Sequence, residues 1–294
     1  YSLGDIRRAI EKNKEEEKPE SSANTSYSHA VHTGEIYGEV SRRPSLDKPE
    51  NKNPKNISNT PKMEQPRFIA KLLDINDGNR FLSLVSVASC ANGMKDYINS
   101  KEDAPEELKN LEFRQGDVVT TIIKCANGET IKLTHDCSLP RPYTRDYEVQ
   151  GTKGIYSEPE DGKGRIYIDG THTEHQSWTH EWDDFAPWRE KYEHPLWVAY
   201  EKGGIKAGHG GMDYLVLSAY VDAVYEGGQP PIDVYDTATW MAITCLSEQS
   251  VAMGGAPVPV PDFTNGKWID REPIRRGMYC LEEVCEEFFE EIKE

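Results

Sequence analysis

Residues 118–137, VVTTIIKCANGETIKLTHDC, alternate apolar and polar side chains on either side of Asn127-Gly128. An Asn-Gly pair supplies the positive φ of a tight reversal, so this stretch predicts two antiparallel strands joined in a hairpin. FLSLVSVAS at 81–89 alternates too, with Leu82, Leu84 and Ser86 on one face and Ser83, Val85 and Val87 on the other. YTRDYEVQG (143–151) and GRIYIDG (164–170) read as further strands. Helical spacing frames this block. Before it, Phe68, Ile69, Leu72 and Leu73 share one face from about Arg67; after it, 183–204 predicts one or two helical stretches interrupted at Pro195. A helix over 211–228 ends at Gly227-Gly228, and a second over 236–255 is capped by Asp236 and closed by Gly254-Gly255. A last helix places Leu281, Val284, Cys285, Phe288, Phe289 and Ile292 on one stripe, with glutamates opposite. Strands followed by helices imply an α+β fold, a largely antiparallel open sheet with helices packed on one face. GHGG at 208–211 lacks the GxGxxG spacing and a preceding strand, so no dinucleotide fingerprint is present, and no phosphate-loop spacing occurs either.

Charge narrows the partners. Lys and Arg total 34 against 51 Asp and Glu, a formal charge of −17, which argues against a nucleic-acid partner, since that needs a basic stripe. No run approaches the ~20 apolar residues of a membrane-spanning helix. Hydrophobic content is 36%, low for a packed chain, and residues 38–66 hold five prolines among Asn, Lys and Ser. The expected division is therefore a poorly structured segment and linker at 1–66 and one α+β domain at 67–294. Six cysteines without a CxxC pair read as buried thiols rather than a disulfide or zinc framework. The chain opens at Tyr1 with no basic-then-apolar leader, which reads as part of a longer polypeptide, and the compartment stays open.

Three clusters carry residue types capable of chemistry. THDCSLPRPYTR (134–145) brings His135, Asp136, Arg141, Tyr143 and Arg145 within twelve positions, stiffened by two prolines. A phenol beside arginines can donate or accept a proton; the equal alternative is a rigid connection with a solvated arginine pair. GHGGMDY (208–214) sets His209 and Asp213 four apart at a helix start. Glycines and free N–H groups there suit a ligand, but ordinary capping accounts for the same residues. His172, His175 and His180 lie in a polar, tryptophan-bearing stretch with no helical face to fix them, so it reads as a surface loop and no metal site is assigned.

Taken together, PRPYTR (140–145), GHGGMDY (208–214) and PDFTNGKW (261–268) make residues 67–268 resemble the C-terminal domain of a known group. That group is the NAD-dependent α-N-acetylgalactosaminidase-like branch of the Gfo/Idh/MocA oxidoreductase superfamily. The resemblance implies a carbohydrate or glycoside substrate, NAD as cofactor, and a cycle of C3 oxidation, elimination and re-reduction on the sugar. It implies Tyr143 as the catalytic acid/base or a contact to a sugar hydroxyl. His135, Asp136 and Arg141 would shape the sugar pocket, His209 and Asp213 support it, and Tyr27 corresponds to a Tyr-x-His element. It also implies a homo-oligomer paired through the open sheet.

The departures are equally specific. Nothing before residue 67 supplies a βαβ nucleotide unit, so the Rossmann domain and its cofactor-binding residues are absent from the expected site. Pro61-Lys62-Met63-Glu64 stands where the family has Tyr-Pro-Thr-His, removing the catalytic histidine. Two readings follow: the sugar domain of an NAD-dependent glycosidase or sugar oxidoreductase, incompetent alone, or a non-catalytic truncated or decayed homologue serving sugar binding or self-association.

Overall fold

The computed structural model describes residues 69–114, 116–136, 138–141, 146–158, 164–170, 181–204, 211–271 and 278–280. The expected linker at 1–66, the histidine-bearing stretch 171–180 and the final amphipathic stripe lie outside these residues.

The fold is α+β, built on two four-stranded antiparallel sheets. In the first, β1 (Phe81–Ala88) pairs with β2 (Val118–Cys125), and β2 with β3 (Thr130–Asp136) through the Asn127-Gly128 turn, where Gly128 has φ 105°. The sequence of pairing thus follows the hairpin that the Asn-Gly dipeptide predicts. Between β1 and β2 run two short helices, α1 (Gly93–Asn99) and α2 (Glu106–Lys109), which bury Met94, Ile98 and Ala104 as a small cluster of their own. The second sheet is β4 (Tyr147–Gly151), β5 (Gly154–Glu158), β6 (Arg165–Ile168) and β7 (Asp183–Asp184), in that order. Tyr147 and Val149 of β4 pack into the same core as Ile131 and Leu133 of β3. Tyr156, Ile166, Ile168 and Phe185 form a separate cluster behind β5 and β6.

Helices follow as α3 (Ala186–Tyr192), α4 (Pro195–Lys202), α5 (Met212–Glu226) and α6 (Val234–Ala252), and β8 (Val258–Pro259) then returns to the far edge of β1. Pro195 does interrupt the helical pattern, as the first residue of α4. The fully buried His194 caps that helix, its Nδ1 accepting from the Leu196 N–H at 3.1 Å.

Among the described residues α6 covers one face of the first sheet, resting on β1 through a row of buried hydroxyls beside Trp240 and Ile243. Ser86, Thr121, Ser247 and Ser250 are all at most 2% exposed. The Ser86 and Thr121 hydroxyls share a hydrogen bond of 2.6 Å, and those of Thr121 and Ser247 one of 3.2 Å. Ser250 Oγ accepts from the Ser86 N–H at 2.8 Å and donates to the Ala256 carbonyl at 2.7 Å. The β1–β8 ladder ends at the Leu84–Val258 pair, so this hydroxyl stands in for its next rung. Small residues let the helix lie close, and each buried polar group keeps a partner. The opposite face is open: Leu82, Val87 and Ile122 are 41%, 56% and 52% exposed.

Four expectations need correction. Leu82 does not share a face with Leu84 and Ser86, because a bulge between Phe81 and Ser83 turns it outward. The cap of α6 is Asp233, whose Oδ1 accepts the Tyr235 and Asp236 N–H groups. Asp236 is instead buried, paired with Lys71 at 2.8 Å and accepting from Asn76 Nδ2. The first helix is short: helical backbone at 69–72 gives way to left-handed Asp74 and Asn76, whose φ values are 53° and 71°. Finally, Cys125 and Cys280 are buried but Cys90 and Cys245 are exposed, one in the loop after β1 and one on the outer side of α6.

Replacing Ser250 by Ala strips the Ser86 N–H and the Ala256 carbonyl of a buried partner. Urea unfolding of Ser250→Ala should show a loss of about 1–3 kcal/mol. An unchanged midpoint would mean that the hydroxyl bridge contributes nothing to holding α6 on the sheet.

Candidate functional site

The end of β3 and the connection that leaves it hold the first candidate cluster. Successive strand residues point to opposite faces, and His135 and Asp136 obey this. His135, opposite Val119, is 5% exposed and turned to the helix-covered side; Asp136, opposite Val118, faces the other way. The two do not share one face. Asp136 and Arg141 do come together, Nη1 to Oδ2 at 3.5 Å, with side chains 28% exposed for the arginine and 13% for the aspartate. Asp136 Oδ1 is buried and accepts no hydrogen bond.

That connection is held from below. Asp117, 4% exposed, accepts the N–H groups of Asn92 and Gly93 and fixes the start of α1. A Cβ on Gly93 would meet the Ser138 carbonyl oxygen at 2.7 Å, so only glycine lets α1 press this closely against residues 138–139. Tyr143 lies between the described residues 141 and 146. The chain re-emerges at Asp146, in the left-handed region at φ 51°, and enters β4.

A further carboxylate that no sequence spacing marks lies on β4, within electrostatic reach of Lys132 of β3 and Arg165 of β6. Glu148 on β4 has its carboxyl raised above the ordinary range, chiefly by burial and next by the negative charge of Asp146; Lys132 and Arg165 pull it back. It shows no more signature in the sequence than any of the other 50 acids would, since strand alternation sets its face and the fold its neighbours.

The second cluster is built by aromatic packing. Gly211 precedes α5 with φ 94°, and a Cβ there would run into the Tyr200 ring. Both the backbone conformation and the ring demand glycine. Tyr200 stacks on Tyr214 at 6.0 Å and meets Trp197 edge-on at 6.3 Å, clasping α4 to α5. Asp213 stands in the first turn of α5, where a negative charge suits the helix dipole, and no side chain caps that helix. His209 and Tyr27 lie outside the described residues. No group of three or more His, Cys, Asp or Glu side chains that could hold a metal occurs among the described residues.

The third motif, PDFTNGKW, is a clasp. Asp262 accepts from Thr264 Oγ1 at 2.6 Å, the Thr264 N–H at 2.9 Å and the Gly266 N–H at 2.8 Å, and lies 3.4 Å from the Arg80 guanidinium. Partial desolvation, the largest single influence, pushes its carboxyl up, but these hydrogen bonds and Arg80 together hold it below the ordinary 3.8. Arg80 also donates to the Val260 carbonyl at 3.0 Å, tying the clasp to the start of β1.

The geometry can be set beside known proteins. Residues 65–270 match the C-terminal domain of glycosyl hydrolase 109. An α-N-acetylgalactosaminidase of Tannerella forsythia is 45% identical over 205 residues, covering 70% of this chain and 42% of the relative. A glycosyl hydrolase family 109 protein of Parabacteroides distasonis is 44% identical over the same shares. The chain thus spans less than half the length of these relatives. Among solved structures, levoglucosan dehydrogenase in complex with NADH and levoglucosan superposes with a TM-score of 0.52 at 14% identity, over 88% of this chain and 63% of that one. An oxidoreductase domain protein from Kribbella flavida gives 0.50 at 13%, covering 88% and 64%. At such identities the likeness is one of fold.

A carboxylate held below its ordinary value contributes stability that is present above the unfolded value and lost as pH falls through the folded one. Asp262→Asn should therefore melt lower than wild type near neutral pH, with the gap closing below the ordinary carboxylate value of 3.8. Melting temperatures across an acid series would read this, and a gap independent of pH would contradict the clasp as an ionised one.

Proposed function

The chain belongs to glycosyl hydrolase family 109, and we propose that it is the sugar-facing domain of a glycosidase of that family. The residues described offer NAD no fit. Every pairing between named strands is antiparallel, whereas a dinucleotide crevice is made by parallel βαβ units. NAD, which the family resemblance implies and which would take up and return hydride at C3 of the sugar, would be held elsewhere. By itself this chain would not turn over.

What the chain contributes is a place for the sugar. The observation that carries this reading is Asp136, with a buried Oδ1 that accepts nothing, beside Arg141 at the head of PRPYTR. A buried acceptor without a donor costs about 1–3 kcal/mol, and a sugar hydroxyl supplies that donor. Arg141, 3.5 Å from the other carboxylate oxygen, holds Asp136 in place and offers donors to further sugar oxygens. Tyr143, two residues on, is the acid/base or hydroxyl contact in this reading. His135 supports the strand from its covered side, and His209, Asp213 and Tyr27 are supporting contacts. The name of the Tannerella relative favours an N-acetylgalactosamine glycoside as the substrate class.

The open face of the first sheet supports self-association. Val87 and Ile122 are both more than half exposed there, an arrangement that suits pairing with the same face of a second copy. In that reading the chain runs as a dimer, at twice its own mass in light scattering.

Calorimetric titration with N-acetylgalactosamine tests the sugar site. Saturable binding is expected, weakened about tenfold or more in Asp136→Ala. With the N-terminal half of a family relative supplied, Tyr143→Phe should cut turnover by about 10²–10⁴ without changing the melting temperature. No sugar binding, or binding indifferent to Asp136, would remove the site; full turnover in Tyr143→Phe would remove the phenol from the chemistry.

A further inference from the structure

Helix α5 carries an apolar stripe that nothing among the described residues covers. Leu217, Tyr220, Val221 and Val224 follow one another at i, i+3, i+4 and i+7 and are 64%, 60%, 58% and 64% exposed. No residue of this fifteen-residue helix is buried, and Leu215, Ala219 and Ala223, on the side facing the protein, are half-buried. A continuous stripe of this kind marks a surface that something occupies.

The chain itself arrives beside it. Tyr279 Oη donates to Asp222 Oδ2 at 2.9 Å, on the flank of the stripe, and Cys280 is 2% exposed. Burial first, and then the bond to Asp222, push the Tyr279 phenol up to about 12, so it stays a donor throughout the physiological range. The sequence continues from this anchor as LEEVCEEFFEEIKE, in which Leu281, Val284, Cys285, Phe288, Phe289 and Ile292 recur at helical spacing and the seven glutamates fall between.

We propose that residues 281–294 lie along α5 and cover its outer stripe. The lengths agree. Fourteen residues in helical form reach about 21 Å, and the fifteen of α5 about 22 Å, so the segment spans the stripe starting two residues from its anchor. The spacing agrees as well, since both stripes repeat at three and four residues and interdigitate side by side. Asp222 borders the stripe and is the residue that Tyr279 bonds, so the segment starts at the stripe's own edge. The segment lies beyond the family match at 65–270, so the inference stands independently of the glycosidase reading.

Hydrogen–deuterium exchange on the full chain tests this, comparing wild type with Val284→Glu/Phe288→Glu at two protein concentrations. Amides of α5 should exchange about tenfold faster in the variant, with β1 to β3 unchanged and wild-type protection independent of concentration. Exchange in α5 that ignores the variant would overturn the proposal. Protection that rises with concentration would also overturn it, assigning the stripe to a second copy. As a readout without loss of apolar contacts, Leu217→Cys, Val221→Cys and Val224→Cys, each in turn, should give a peptide cross-linked to Cys285 within one chain under mild oxidation. The absence of that peptide in all three would equally sink it.

Discussion

A hydroxyl on α6 sets how the first sheet and its covering helix fit. Ser250 accepts from the N–H of Ser86 and donates to the carbonyl of Ala256, completing a ladder that the backbone of β8 leaves one rung short. Because Ser86, Thr121, Ser247 and Ser250 are small and mutually bonded, α6 lies close enough to bury Ile243 and Trp240 against Phe81, Leu84 and Ile123. The same closeness brings the chain back at 258–260 to the edge of β1, where Arg80 and Asp262 lock it. At the other end of α6, Asp236 binds Lys71 and Asn76, and Asn79 reaches Glu129 beside the hairpin turn. Helix, entry segment and hairpin are thus one connected unit.

That unit leaves two surfaces with unlike characters. The end of β3 that carries Asp136, with Arg141 beside it, is polar and ionisable, and the connection leaving it is held by the α1 start that Asp117 fixes. The outer side of α5 and the open face of the first sheet are apolar and exposed. A sugar suits the first kind of surface, because its hydroxyls need charged partners at defined angles. Protein suits the second, because only extended apolar contact removes such stripes from water.

Much of this was legible in the sequence where the determinant is local. Asn127-Gly128 declares its hairpin, Pro195 its helix start and Gly227 its helix end because each acts through backbone conformation alone. The fold class follows from the order of these elements. What was hidden depends on partners far along the chain. The bulge that turns Leu82 outward has no composition of its own. Asp236 has the residue type of a cap, and only contact with Lys71 and Asn76, some 160 positions away, makes it a buried anchor. Asp136 and Arg141 were both visible as candidates. That they pair, that His135 turns to the opposite face, and that Glu148 is partly buried near Lys132 and Arg165 come from strand alternation and sheet order.

The central claim is that this chain supplies the sugar side of the reaction and holds no dinucleotide of its own. Nicotinamide content of the purified chain, released by denaturation and quantified by mass spectrometry, addresses it most directly. No bound NAD, and no thermal shift when NAD is added, is the predicted result. Stoichiometric NAD in the purified chain would contradict the account, because a cofactor cradle would then exist that the antiparallel sheets do not provide.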